Sequence, residues 1–113
     1  YVEGMHKILN AKKPDTFILS TGKTVSVRDF LIKSFKAVDI DIHFSGEGLN
    51  TIGTDSATSK TLITINKKFY RPSEVDLLIG DATKAKNELG WEPSTSIDDL
   101  TKLMINEDLE RNK

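Results

Sequence analysis

The run Lys67-Lys68-Phe69-Tyr70-Arg71-Pro72-Ser73-Glu74-Val75-Asp76 places three cations within five residues, beside two aromatics, with an acidic pair following. Arginine presents a planar fork of donors that matches phosphate oxygens. A carboxylate three residues on is suited to accept hydrogen bonds from two vicinal hydroxyls, as on a ribose. On this reading Arg71 takes the diphosphate of a nucleoside diphosphate and Glu74 takes its sugar. The same residues also read as a solvated charged loop with an Arg71–Glu74 surface pair, a common and weakly stabilising arrangement. Residue chemistry alone leaves both readings open.

Other chemistries find less support. The sequence contains no G-x-G-x-x-G, and Gly46 and Gly48 form only a lone Gly-x-Gly in a polar stretch, so no dinucleotide-binding turn and no cofactor-binding residue is read here. No tyrosine is followed four residues later by a lysine, the spacing that would put a catalytic pair on one helix face. His6 and His43 stand far apart without ligand neighbours, so no metal site is expected. There are no cysteines, which removes disulfides and thiolate sites and fits a reducing compartment. A formal net charge of −1 gives no reason to expect nucleic acid or a membrane surface. No apolar run approaches the roughly 20 residues of a membrane helix.

These residues need elements to hold them. The chain of 113 residues suffices for one small domain. Val2, Met5, Ile8 and Leu9 already follow a helical period from Tyr1 with no capping residue before them, and Pro14 with Asp15 ends that helix after residue 12. So abrupt a start suggests a chain that begins inside a helix of a larger protein; a processed terminus is the other reading. Thr16 to Ser20 reads as a buried strand. Ser26 with Asp29 reads as an N-cap and a weak capping box, opening a helix with Val27, Phe30, Leu31, Phe35 and Val38 on its core stripe. Asp39 to Phe44 alternates as a strand. Residues 45–60 read as a loop of about 16 residues, long enough to be functional or disordered. Leu62, Ile63 and Ile65 give another strand, and Val75 to Ile79 a strand or turn. Asp81 caps a helix that ends at Leu89, where Gly90 suits a left-handed terminus. Ser96 with Asp99 starts a last helix whose buried side includes Ile97, Leu100 and Met104. This order predicts an α/β class of few short strands with flanking helices.

Three phrases carry a resemblance. Y-R-P-S-E-V-D-L-L-I-G-D begins at Tyr70, A-x-K-A-x-x-x-L-G-W-x-P spans 82–93, and T-G-x-T-x-S-V-R-D-F spans 21–30. Together with Y-V-E-x-M at the start they resemble, in order and spacing, the C-terminal part of GDP-mannose 4,6-dehydratases. The L-G-W-x-P phrase is shared among extended short-chain dehydrogenase/reductases, whereas R-P-S-E-V-D-L-L-I-G-D is specific to the GDP-mannose branch. The chain departs from the family pattern at Phe69-Tyr70 (usually Tyr-Phe), at Val25 (usually His), at Asn66-Lys67 (usually Asp-Pro) and in the Ser/Thr-rich stretch 54–60. Trp91 in L-G-W-x-P reads as a packing residue, and Phe30 and Phe35 as core.

The resemblance implies that residues 1–113 form the C-terminal nucleotide-sugar-binding lobe of a Rossmann-like enzyme whose cofactor domain lies upstream. It implies GDP-mannose as substrate, with conversion to GDP-4-keto-6-deoxymannose and loss of water, a step toward GDP-fucose. NADP is then the cofactor of the full-length enzyme, with none expected to bind this chain alone. A homo-oligomer located in the cytoplasm is implied as well. Arg71 and Glu74 are the matched substrate-binding residues. The family's catalytic Thr, Glu, Tyr and Lys have no match here, so this chain is expected to be inactive alone. A related nucleotide-sugar reductase or epimerase shares the Arg-x-x-acid arrangement, and a non-catalytic nucleotide-sugar-binding module is a third possibility.

Overall fold

The computed structural model describes residues 1–71 and 77–113. These fall into two compact units, one built from residues 1–24 and 77–96, the other from residues 25–71 and 97–113.

In the first unit, helix α1 (Val2–Leu9) carries Glu3 in its first turn and pairs it with Lys7 at 3.2 Å. Its inward residue is Gly4: a Cβ there would lie 2.6 Å from Leu19 Cδ1 and 2.9 Å from Trp91 Nε1, so only glycine lets the helix come this close. Helix α3 spans Thr83–Leu89, and Asp81 Oδ1 accepts from the Thr83 N–H at 2.9 Å. The N-cap is Ala82 and not the expected Asp81, whose carboxylate instead takes the first helical N–H from one residue ahead of the cap. Gly90 ends the helix at φ 60°, ψ 32°, a left-handed conformation that costs glycine nothing. That turn swings Trp91 back over the helix, where its backbone N–H reaches the Ala85 carbonyl. Ala85 is 0% and Trp91 3% exposed, so Trp91 is the packing residue its motif suggests. Lys7 reinforces the corner by donating to the Gly90 carbonyl at 3.0 Å.

The strand expected at Thr16–Ser20 is absent: among the described residues no segment forms a ladder with it. It is instead fastened by side chains. Ser20 Oγ donates to the Gly80 carbonyl at 2.9 Å, and Lys84 donates to the Thr16 carbonyl at 3.2 Å while pairing with Asp15 at 2.7 Å. An apolar run becomes a strand only when a neighbour takes up its backbone groups. Of the expected element at Val75 to Ile79, residues 75 and 76 lie outside the described residues, and 77–79 form no helix or strand.

In the second unit, Ser26 caps helix α2 (Val27–Lys36): its Oγ accepts from the Asp29 N–H at 3.0 Å and donates to Asp29 Oδ2 at 2.6 Å. Phe30, Leu31, Phe35 and Val38 are half-buried as the stripe predicts, but Val27 stays exposed. Three strands follow, β1 (Ile42–Ser45), β2 (Ile52–Asp55) and β3 (Thr61–Thr64), in an antiparallel sheet ordered β1-β2-β3. Ile42 pairs with Asp55, Ser45 with Ile52, and Gly53 with Ile63, with an irregularity after Gly53.

The long loop expected over 45–60 is therefore incorrect. It contains the central strand β2, a 3-10 turn at Gly48–Asn50 and a tight reversal at Asp55, whose carboxylate accepts from the Ala57 N–H at 2.9 Å and the Thr58 hydroxyl at 2.6 Å. Strand β2 hides because Ile52 is its one large apolar residue. Gly53 is buried beneath neighbours, and a Cβ there would meet Ile63 Cδ1 at 2.9 Å and Phe44 Cε1 at 3.1 Å.

Helix α4 (Ile97–Arg111) packs on α2, and the Lys33 amine bonds the Asp98 carboxylate across that seam. Its buried face is the expected one at Ile97 only. Leu100 and Met104 are 39% and 46% exposed, and the inward residues are Ile97, Thr101 and Ile105. Thr101 is 1% exposed with its hydroxyl bonded to the Ile97 carbonyl at 2.7 Å, and Ser34 on α2 bonds the Phe30 carbonyl at 2.8 Å in the same manner. A small hydroxyl residue that satisfies itself on its own helix buries little polar area and lets two helices approach. The described fold is α/β, a small three-stranded antiparallel sheet with helices.

Candidate functional site

The site lies where β3 ends. Asn66 stops the strand by accepting the Lys68 N–H on its side-chain Oδ1 at 2.9 Å. This local bond offers the backbone an alternative to the ladder. A 3-10 turn, Lys67–Phe69, follows, closed by the Phe69 N–H on the Asn66 carbonyl at 3.0 Å and the Tyr70 N–H on the Lys67 carbonyl at 3.3 Å. The turn carries Tyr70 and Arg71 to the wall of an open depression of about 640 Å³, which they line with Thr64, Ile65, Asn66 and Phe69.

Arg71 therefore stands in a concave surface beside two aromatic rings. Glu74, its expected companion, lies outside the described residues. Lys67 and Lys68 belong to the turn but not to the depression, and the Lys68 amine sits 5.8 Å from the centre of the Phe69 ring. Reading by charge alone picks out the cations and misses Asn66, whose signal is an Asx turn at the end of an apolar strand.

Arg71 is the charged residue among the described residues that line the depression. The carboxylates held below their ordinary range all lie elsewhere. Asp15 is held down by Lys84 and then the Thr16 N–H, Asp55 by the Thr58 hydroxyl and then the Ala57 N–H, Asp81 by the Thr83 hydroxyl and then its N–H, and Asp98 by Lys33. Each serves a turn, a helix start or an ion pair. Among the described residues no three His, Asp or Glu side chains gather as metal ligands, and no helix is long and apolar enough to cross a membrane. His43 projects from β1 into solvent and His6 contacts Asn10. The described lining thus sets a guanidinium, a phenol and a side-chain amide beside apolar and aromatic surface.

The family model for GDP-mannose 4,6 dehydratase matches residues 1–104, which include every residue lining the depression. The chain belongs to the GDP-mannose 4,6 dehydratase family. It is 46% identical over 110 residues to the GDP-mannose 4,6 dehydratase of Dictyostelium discoideum, covering 97% of this chain and 31% of that protein. It is 43% identical over 109 residues to that of Sinorhizobium fredii, covering 96% of this chain and 31% of the relative. The human GDP-mannose 4,6 dehydratase is 41% identical over 110 residues, 97% of this chain and 30% of its own length. The chain thus spans a little under a third of the length of the dehydratases it matches.

Proposed function

We propose that residues 1–113 are the C-terminal, substrate-binding lobe of a Rossmann-like extended short-chain dehydrogenase/reductase that converts GDP-mannose to GDP-4-keto-6-deoxymannose with loss of water. In this reading Arg71 binds the diphosphate and Glu74 accepts from the ribose hydroxyls. The enzyme is a cytoplasmic hydro-lyase and a homo-oligomer. The observation that carries the reading is the position of Arg71 on the wall of an open, aromatic-flanked depression, in a chain that the family model matches through residue 104.

The described residues do not fit NADP. The strands among the described residues are antiparallel, and none leads through a glycine-rich turn to a helix N-terminus that could take a pyrophosphate. NADP is assigned instead to a cofactor domain upstream of this segment. What this lobe supplies is binding and placement: one wall that holds the nucleotide so that the sugar is presented to the rest of the enzyme.

Titration of GDP into the full-length protein tests the assignment. Arg71→Ala removes a charge-assisted contact of about 1.5–3 kcal/mol and should weaken GDP roughly 10- to 150-fold. Arg71→Lys should recover only part of that, because an ammonium lacks the bidentate fork. Glu74→Gln should weaken GDP and leave NADP binding unchanged. An Arg71→Ala protein that binds GDP like the parent would show that the phosphate contact lies elsewhere.

A further inference from the structure

The depression presents more than one donor. Thr64, Asn66, Tyr70 and Arg71 are its polar lining residues. Asn66 has already committed its Oδ1 to the Lys68 N–H, which leaves its amide N–H groups as what it offers a ligand. Tyr70 is 50% exposed, and its hydroxyl bonds to none of the described residues. Its backbone is held by the N–H bond to the Lys67 carbonyl, so the ring stands on a formed turn. A phenol brings a donor to a ligand at the entropic cost of only two torsions. Toward an oxyanion that donor makes a short, charge-assisted bond.

We propose that Tyr70 is a second phosphate-binding residue, its hydroxyl donating to the same diphosphate that Arg71 binds. This rests on the nucleoside-diphosphate reading of the depression and adds to it a residue that selects phosphate rather than base. The ring of Tyr70 needs no change of rotamer class to lose the function, so Tyr70→Phe isolates the hydroxyl.

The test is titration of GDP and of guanosine into the full-length protein, its Tyr70→Phe and Arg71→Ala variants and the double variant, with the melting temperature measured in parallel. Tyr70→Phe should weaken GDP about 10- to 150-fold, the range of a hydrogen bond to a charged group, and leave guanosine affinity and melting temperature unchanged. In the double variant the two losses should depart from simple multiplication, because both donors address one diphosphate. Unchanged GDP affinity in Tyr70→Phe beside a large loss in Arg71→Ala would overturn this proposal and leave the Arg71 assignment standing. Equal losses for GDP and guanosine would also overturn it, since the hydroxyl would then serve base or ribose. Loss of GDP in Tyr70→Phe alone would support Tyr70 and remove Arg71 from the site.

Discussion

The two units bury different things. The unit containing α1 and α3 buries Trp91, Ala85 and Gly4, an indole closed in by two small residues. The unit containing the sheet buries Thr101, Ser34, Thr51 and Gly53, with its aromatics only half covered. One is held by a single large side chain; the other is held by a strand ladder and by hydroxyls that close on their own helices. The depression with Arg71 belongs to the second kind. A ladder and a capped turn fix the backbone of a binding wall without filling the space beside it. A large aromatic in the same place would fill that space.

The largest way to break this comparison is Trp91→Ala. Removing a 3%-exposed indole should cost about 3–5 kcal/mol. Hydrogen exchange should show lost protection in α1 and α3, while the amides of β1–β3 keep theirs. Loss of protection in both sets together would mean that the units unfold as one body and that the contrast between them has no energetic meaning.

A smaller effect is expected on the other side. Gly53→Ala places a methyl 2.9–3.1 Å from Ile63 and Phe44, and Ile63 Cβ at 3.0 Å cannot swing away as a side-chain tip would. The expected loss is about 1–3 kcal/mol, seen as faster exchange confined to the sheet and a lower denaturation midpoint. GDP affinity should fall too, because β3 carries Thr64 into the depression. Wild-type stability in Gly53→Ala would show that the sheet is looser than its geometry implies.

The smallest effect should not separate the units at all. Asp15 and Asp81 in one unit, and Asp55 and Asp98 in the other, have their carboxyl pKa values lowered by hydrogen bonds and lysines. A lowered folded-state pKa gives stabilisation that is present above the unfolded value near 4 and is lost as pH falls through the folded one. Chemical denaturation should therefore be insensitive to these groups between about pH 7 and 5 and weaken below about pH 4. Asp15, Asp81 and Asp98 are exposed and Asp55 is half-buried, and added salt should blunt the Asp15 and Asp98 contributions, which involve lysines, more than those of Asp55 and Asp81. Weakening on the way from pH 7 to 5 would point to some other titrating group.

How much of this was legible without coordinates follows from the range of each interaction. The cap at Ser26, the Asp81 bond to the Thr83 N–H and the stop at Gly90 are made between residues one to four apart, so their sequence spacing nearly specifies them. Strand β1 shows the same in its alternation, with Ile42 and Phe44 half-buried between exposed His43 and Ser45. Arg71 and its neighbours were visible as donors beside aromatics, and the family as a set of phrases. Strand β2 was not visible, because a strand of Ile-Gly-Thr-Asp exists only through the two partners that flank it. The run at Thr16–Ser20 failed for the converse reason: it has the apolar residues and, among the described residues, no ladder partner. The inward face of α4 went to Thr101 over Leu100 and Met104, because a hydrophobicity scale does not know that a threonine can satisfy its hydroxyl one turn back. By itself the sequence determined the local stops and starts and the residue types at the site. Only the tertiary structure decided which strands pair, which helix face turns inward, and that Asn66, Tyr70 and Arg71 share one wall, since each of these depends on partners that the chain brings together from a distance or around a turn.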